Sequence, residues 1–325
     1  MRRRGFITLL GGATLLAPLA AAAQDAGRIY RIGVLSVNQR EVSQFAAFFD
    51  ELRHLGFIEG HNLILHAGGF FGLQQDQLAG KAAELVIAKV DAIYVNGGAV
   101  PIRAAQQRTA TIPIIGLADD MVAEGLVRSL AHPGGQTTGI SILAPELDGK
   151  RQGLLMELLP HARQMAVLAD TRITTSQQLQ ALEDAVRAHG IGLSIYRVDR
   201  PEEIVPAINA AQASGSAALN VLATSLFSSN RQIIFERTAA LRLPAIYQWP
   251  EMAEQGGLMA YGPRVTELYR QSARLLSKVL HGANPADLPV EQPTKFELVV
   301  NLKAAKALGL EIPASLVLRA DKVIE

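Results

Sequence analysis

The chain has 325 residues, enough for two ordinary domains, and 49% of them are apolar, enough to give each its own core. Lys and Arg number 31 against 30 Asp and Glu, so the formal net charge is +1 and there is no basic excess of the kind that nucleic acid selects. There is no cysteine, which excludes disulfides, thiolate metal sites and cysteine nucleophiles.

Arg2, Arg3 and Arg4 open the chain, followed by an apolar and small-residue run over 6–19 and four alanines before Gln24. This is the pattern of a cleavable export signal, expected over 1–23. Arg3-Arg4-Gly5-Phe6-Ile7 fits a twin-arginine signal as well as a Sec-type basic segment, and either route leads to the periplasm. About fourteen apolar residues are too few to span a bilayer, which argues against an uncleaved anchor. Without the leader the balance is 28 basic to 30 acidic residues.

Beyond the leader, apolar runs rich in β-branched residues fall at 30–37, 62–66, 91–96 and 112–117, with helical patterns between them at 43–55, 77–88 and 101–108. Short, nearly continuous hydrophobic strands alternating with helices predict a parallel sheet covered on both faces. The second half repeats the pattern, with strands at 164–169, 192–198, 217–222 and 244–247 and helices at 175–189, 201–213 and 228–241. The fold class expected is α/β, two doubly wound parallel-sheet lobes, with 135–150 crossing between them.

Ligands of such sheets sit beyond the carboxyl ends of the strands. That rule selects Ser36, Val37 and Asn38, then Asn96-Gly97-Gly98-Ala99, then Asp119 and Asp120 in the first lobe. In the second lobe it selects Asp170 and Thr171, Thr224 and Ser225, and Tyr247-Gln248-Trp249. Gly97 and Gly98 lead into a helix whose free N–H groups could hold a carboxylate, with Asp119 or Asp170 then facing an amino group; the same glycines also serve a tight strand-to-helix turn. Thr224 and Ser225 read first as N-caps, and Asp119-Asp120 reads first as the cap of a helix over 121–131.

Catalytic groups are scarce. The seven histidines have no metal-ligand spacing; Gly139-Ile140-Ser141-Ile142 lacks the closing glycine of a nucleophile elbow; and 134–139 lacks the lysine of a phosphate loop. No metal and no cofactor is expected. An exported, two-lobed chain of this kind reads as a solute receptor rather than an enzyme; the alternative is a periplasmic α/β enzyme acting on a small molecule through Asp119 and Asp120.

Several motifs in order carry a resemblance: 56–62 (GFIEGHN), 132–135 (HPGG) with Thr138-Gly139, 145–151 (PELDGKR), 243–247 (LPAIY), 256–263 (GGLMAYGP) and 288–298 (LPVEQPTKFEL). Together they resemble the ABC-transporter substrate-binding proteins of the tryptophan and tyrosine receptor type, over almost the whole chain after the leader. The resemblance implies a type I periplasmic binding fold in which three crossovers join the lobes and a small, often aromatic, amino-acid-like ligand is trapped as they close. It implies permease subunits at the inner membrane as partners, a monomeric receptor, and cleft positions at Asp170, Thr224 and Tyr261. Trp249 falls at a crossover, as ligand contact or as packed hinge residue. The lobes expected are 28–143 with 249–290, and 144–248 with 291–325, hinged at 141–145, 247–250 and 294–297. Three departures stand out: Asn96-Gly97-Gly98-Ala99 lacks the threonine of the usual Gly-Thr-Pro-Ala loop, Asp119-Asp120 lacks the proline of an Asp-Pro pair, and 68–72 (GGFFG) replaces a more polar stretch.

Overall fold

The computed structural model describes residues 27–325, so the expected export signal lies outside the described residues. In the first lobe β1 (Tyr30–Ser36), β2 (Leu63–Leu65), β3 (Ala92–Asn96), β4 (Ile114–Ala118) and β5 (Thr137–Ser141) form an all-parallel sheet in the order β2-β1-β3-β4-β5. Helix α1 (Ser43–His54) packs Phe45, Phe48 and Leu52 on one face; α2 (Leu78–Ile87) and α3 (Ala99–Gln106) pack Leu85, Ile102 and Ala105 on the other. A sheet covered on both sides needs apolar residues at every position rather than at alternate ones, which is why these strands are buried throughout.

The chain then enters the second lobe through α4 (Ala144–Leu158). It continues as β6 (Gln164–Asp170), α5 (Ser176–Arg187), β7 (Gly192–Val198), α6 (Pro201–Ala213), β8 (Leu219–Val221), α7 (Ser225–Ser229), α8 (Arg231–Ala240), β9 (Ala245–Tyr247), α9 (Pro250–Glu254) and β10 (Met259–Gly262). The long α10 (Val265–Leu280) returns to the first lobe, where Leu268, Tyr269, Leu275 and Leu276 join the core beside α1. The last segment crosses once more to give β11 (Glu297–Asn301), α11 (Leu302–Leu308), α12 (Ala314–Arg319) and β12 (Lys322–Ile324). The second sheet runs β12-β11-β10-β9-β8-β6-β7, parallel except where β11 meets β10.

Two doubly wound lobes are therefore present, and the boundaries differ from expectation most at the second crossover. Residues 249–262 stay in the second lobe, because Met259 and Ala260 pair with Ile246 and Tyr247 of β9. The chain changes lobes at 263–264, not at 247–250. At the first crossing Ser141 ends β5; at the third, Glu291, expected to open the second lobe's last segment, still bonds to the first sheet through Gly139 O and Ser141 N, and β11 begins at Glu297. The helix expected over 121–131 does not form. Asp120 Oδ1 accepts from the N–H groups of Val122 and Ala123, but those of Leu126 and Val127 both return to the Met121 carbonyl, which ends the coil after one turn.

Candidate functional site

The carboxyl ends of the two sheets face each other, and the loops that follow them carry the expected site residues. On the first lobe, Ser36 Oγ at the end of β1 donates to Asn96 Oδ1 at the end of β3 (2.9 Å), and Asn38 Nδ2 donates to the same oxygen (3.3 Å) and to the Tyr269 hydroxyl of α10 (3.2 Å). The Asn38 N–H returns to Ser36 Oγ (2.9 Å), so the β1 loop is folded on its own side chain. Ser36 and Asn96 are fully buried; Asn38 is half-buried.

Beside them, Gly97 and Gly98 have φ of +106° and +89° and deliver the chain into α3, whose N-terminus has no side-chain cap. A Cβ built on Gly98 would meet nothing within 4 Å, so that side of the turn is open. Uncapped N–H groups at an open helix start present partial positive charge to the gap. Gly97, Gly98 and Ala99 are all partly exposed there.

Asp119 follows β4. Among the described residues no side chain or backbone group donates a hydrogen bond to its carboxylate. Loss of hydration pushes its pKa up to about 8; the carboxylates of Glu124 and Asp148 add to the rise, Arg151 opposes it, and Asp170 adds a little more. Asp148, Arg151 and Asp170 all belong to the second lobe, so Asp119 looks across the gap.

The second-lobe acids differ from it because each has partners. Asp170, at the end of β6, accepts from the Arg172 backbone N–H (3.0 Å), from Arg172 Nε (2.9 Å) and Nη2 (2.7 Å), and from Thr224 Oγ1 (2.8 Å). Thr224 Oγ1 in turn accepts from Leu226 N–H (3.2 Å), so it caps α7 as the sequence suggests while also holding Asp170. Ser225, half-buried, starts that helix, and Thr171 is exposed with only its backbone engaged, to Val198 O (3.0 Å).

Below this layer lies a pair not anticipated from sequence: Asp148 and Arg151 of α4, both fully buried and bonded to each other, with Gln178 donating to the free oxygen of Asp148 and Arg151 Nη1 donating to Tyr261 O (2.9 Å). Burial raises the Asp148 pKa and the arginine pulls it back. The signal is the spacing Asp148-x-x-Arg151, one face of a helix, inside a stretch with no apolar stripe.

Trp249 lies in the second lobe rather than at a crossover, yet its half-buried ring packs against the cores of both lobes, with Nε1 donating to Ser228 Oγ (3.2 Å). Tyr261 of β10 also touches the first-lobe core and stacks on Phe296, centroids 6.4 Å apart. Of the expected site residues, Ser36, Asn38, Gly97, Gly98, Ala99 and Asp119 end or follow strands of the first lobe, and Asp170, Thr224, Ser225, Trp249 and Tyr261 belong to the second; Ser36, Asp170 and Thr224 are buried, and the others are partly exposed. Thr171 stands on the exposed rim. No group of three His, Asp or Glu that could hold a metal ion occurs among the described residues.

Two doubly wound lobes joined by three crossings, with polar loops facing across the gap, define a type I periplasmic binding fold. The model of the ABC transporter substrate binding protein family matches residues 47–324, and the chain belongs to that family, one of substrate-binding proteins and not of enzymes. It is similar to a tyrosine-binding protein of Clostridioides difficile (strain R20291), 27% identical over 268 residues, 81% of this chain and 76% of that one. Among solved structures, a conserved domain protein from Vibrio cholerae has a TM-score of 0.82 at 23% identity, covering 91% of this chain and 100% of its own. An ABC domain in complex with L-Trp from Streptococcus pneumonia scores 0.81 at 23% identity with the same coverage. The alternative of an enzyme built on Asp119 and Asp120 loses its ground with this family, and Asp120 is occupied in its turn.

Proposed function

We propose that the protein is a periplasmic receptor that holds a small, amino-acid-like, aromatic carboxylate between its lobes and, as a monomer, passes it to the permease subunits of an ABC importer. The observation that carries this reading is the polarity of the gap: an open, uncapped helix start at Gly97 to Ala99 for a carboxylate, and one unpartnered carboxylate, Asp119, for an ammonium group. Asp170 is the weaker candidate for the ammonium group, because Arg172 and Thr224 already fill its oxygens. Ser36 and Asn38 hold the β1 loop in place, Thr224 and Ser225 form the opposite lip, and Trp249 and Tyr261 supply apolar wall. The relatives that bind tyrosine and L-Trp support an aromatic ligand. Export rests on the leader, and no helix among the described residues is long and apolar enough to cross a membrane.

Titration calorimetry against a panel of amino acids, aromatic carboxylates and neutral sugars tests the reading. Stoichiometric binding of an aromatic amino acid is expected. Binding of sugars with none of the amino acids or carboxylates would overturn the site assignment.

A further inference from the structure

The end of β9 carries a small polar network in which one atom is left over. Gln248, the first residue after β9, is 3% exposed, and its Nε2 donates to the Thr224 carbonyl (3.2 Å) and to Ser228 Oγ. Ser228 Oγ also accepts from Trp249 Nε1 (3.2 Å) and donates to the same Thr224 carbonyl (3.0 Å). A hydroxyl has one proton and two lone pairs, and an amide nitrogen has two protons, so Ser228 Oγ and Gln248 Nε2 are both fully used. The amide cannot be turned round to share this out: the Thr224 carbonyl only accepts, and an amide oxygen placed against it would meet lone pair with lone pair. Gln248 Oε1 therefore lies on the side of the amide away from the Thr224 carbonyl. It is buried, and among the described residues nothing donates to it.

An amide oxygen shut away from water without a donor is costly and rare in a folded chain. The place of this one indicates which donor is missing. β9 lies between β8 and β10 in the second sheet, and Gln248 leaves it at the carboxyl end, where ligands of doubly wound sheets sit. Thr224 follows β8 at the same end, and Trp249, next in the chain, packs its ring against the cores of both lobes, so the network stands at the seam between them. An aromatic amino acid brings two kinds of donor, a charged ammonium group and, on some rings, a neutral O–H or N–H. The ammonium group suits the carboxylate of Asp119; the neutral oxygen of Gln248, with an indole next to it in the chain, suits the donor on the ring.

We propose that Gln248 is a specificity-determining residue of the second lobe: its Oε1 accepts a hydrogen bond from a ring-borne O–H or N–H, and so selects aromatic amino acids that carry such a donor over phenylalanine, which has none. This rests on the amino-acid receptor reading and adds to it the choice of side chain. A site built to hydrogen-bond a ligand group rejects the analogue that lacks it, because the site's own polar atom then stays buried and unpaired. Apolar contacts alone would not make that choice, since phenylalanine fits wherever tyrosine does.

Calorimetry with L-tyrosine, L-tryptophan and L-phenylalanine, on wild type and on Gln248→Met, tests the proposal. Wild type is expected to bind the better of L-tyrosine and L-tryptophan at least about tenfold more tightly than L-phenylalanine, the scale of one buried hydrogen bond left unmade. Which of the two it prefers distinguishes a ring O–H from a ring N–H. Gln248→Met keeps the length of the side chain and removes its polar atoms; the preference should fall close to unity, with L-phenylalanine bound no more weakly than by wild type. An unchanged preference in the variant, whether or not all three ligands weaken together, would overturn the proposal, since that is what a merely structural residue produces. Equal binding of all three ligands by wild type would overturn it without recourse to the variant and leave the receptor reading intact. Binding of none of the three would remove both.

Discussion

Asp119 and Asp170 occupy equivalent places, each at the carboxyl end of a strand beside the gap, and their partners make them chemically different. Asp170 is saturated by Arg172 and Thr224, whereas Asp119 has the carboxylates of Glu124 and Asp148 near it and no donor. On the proposed reading, an incoming ammonium group would gain most at Asp119, where its charge would displace the proton that burial otherwise retains. Asp119→Asn should weaken an amino-acid ligand by roughly two orders of magnitude, because truncating one partner of a desolvated charge pair costs about 2–5 kcal/mol; calorimetry that finds wild-type affinity would relocate the ammonium site. The same residue gives a signature without ligand. Its pKa is about 8 in the folded chain against about 4 for an ordinary aspartate. Between those values the folded form holds a proton that the unfolded form releases, so this contribution to stability is complete below about pH 4 and is lost as pH rises through 8. Urea unfolding at pH 5 and pH 8.5 should show wild type losing more stability over the interval than Asp119→Asn; identical losses would mean that the carboxyl stays ionised throughout.

Elements differ in how plainly the sequence announces them. β1, β3, β4 and β6 are readable because a doubly covered strand must be apolar at nearly every position, and α6 because Pro201 opens it. β10 is hidden: four residues long and preceded by Gly256-Gly257, it reads as a turn, and only its pairing with β9 and β11 makes it a strand. That one omission shifts the second crossover by some fifteen residues. β5 is obscured by Gly139, which reads as a loop residue and is in fact required by close approach, since a Cβ there would stand 1.9 Å from the Gly116 carbonyl oxygen. Gly139→Ala must move backbone in the first sheet and should cost about 3 kcal/mol or more, measured by thermal unfolding. Helix α4 escapes notice because Asp148, Arg151 and Gln152 share its buried side with Leu154, Leu155 and Leu158, so no apolar stripe appears. Arg151→Ala would strand the buried Asp148 carboxylate and should destabilise by about 3–5 kcal/mol. A loss under 1 kcal/mol would show that Asp148 is protonated in the folded chain. The rule that ligands meet strand ends selects loops that do follow β1, β3, β4, β6 and β8, since those strands form where the sequence places them; which acid is free and which is occupied depends on Arg172, whose side chain folds back two residues, and no spacing rule reveals that.

For the whole molecule the controlling fact is two cores connected by three short crossings at 142–143, 263–264 and 292–296. Each lobe keeps its own packed sheet, so relative rotation costs little internal rearrangement, and a solute that touches both walls favours the closed arrangement. Ligand should raise the melting temperature progressively as its concentration passes the dissociation constant and should reduce the radius of gyration. A melting shift with an unchanged radius would indicate a fixed gap that binds without closing.

Trp249 gives this motion an optical readout. It is the single tryptophan of the chain, and its ring lies half-buried between the cores of the two lobes with its indole N–H on Ser228. Emission excited near the red edge of protein absorption therefore comes from one indole at the seam, with no other site to average over it. Parting of the lobes hydrates that ring and shifts the emission to longer wavelength, while closure on a non-fluorescent solute shifts it back, so a cuvette titration follows the angle between the lobes in real time.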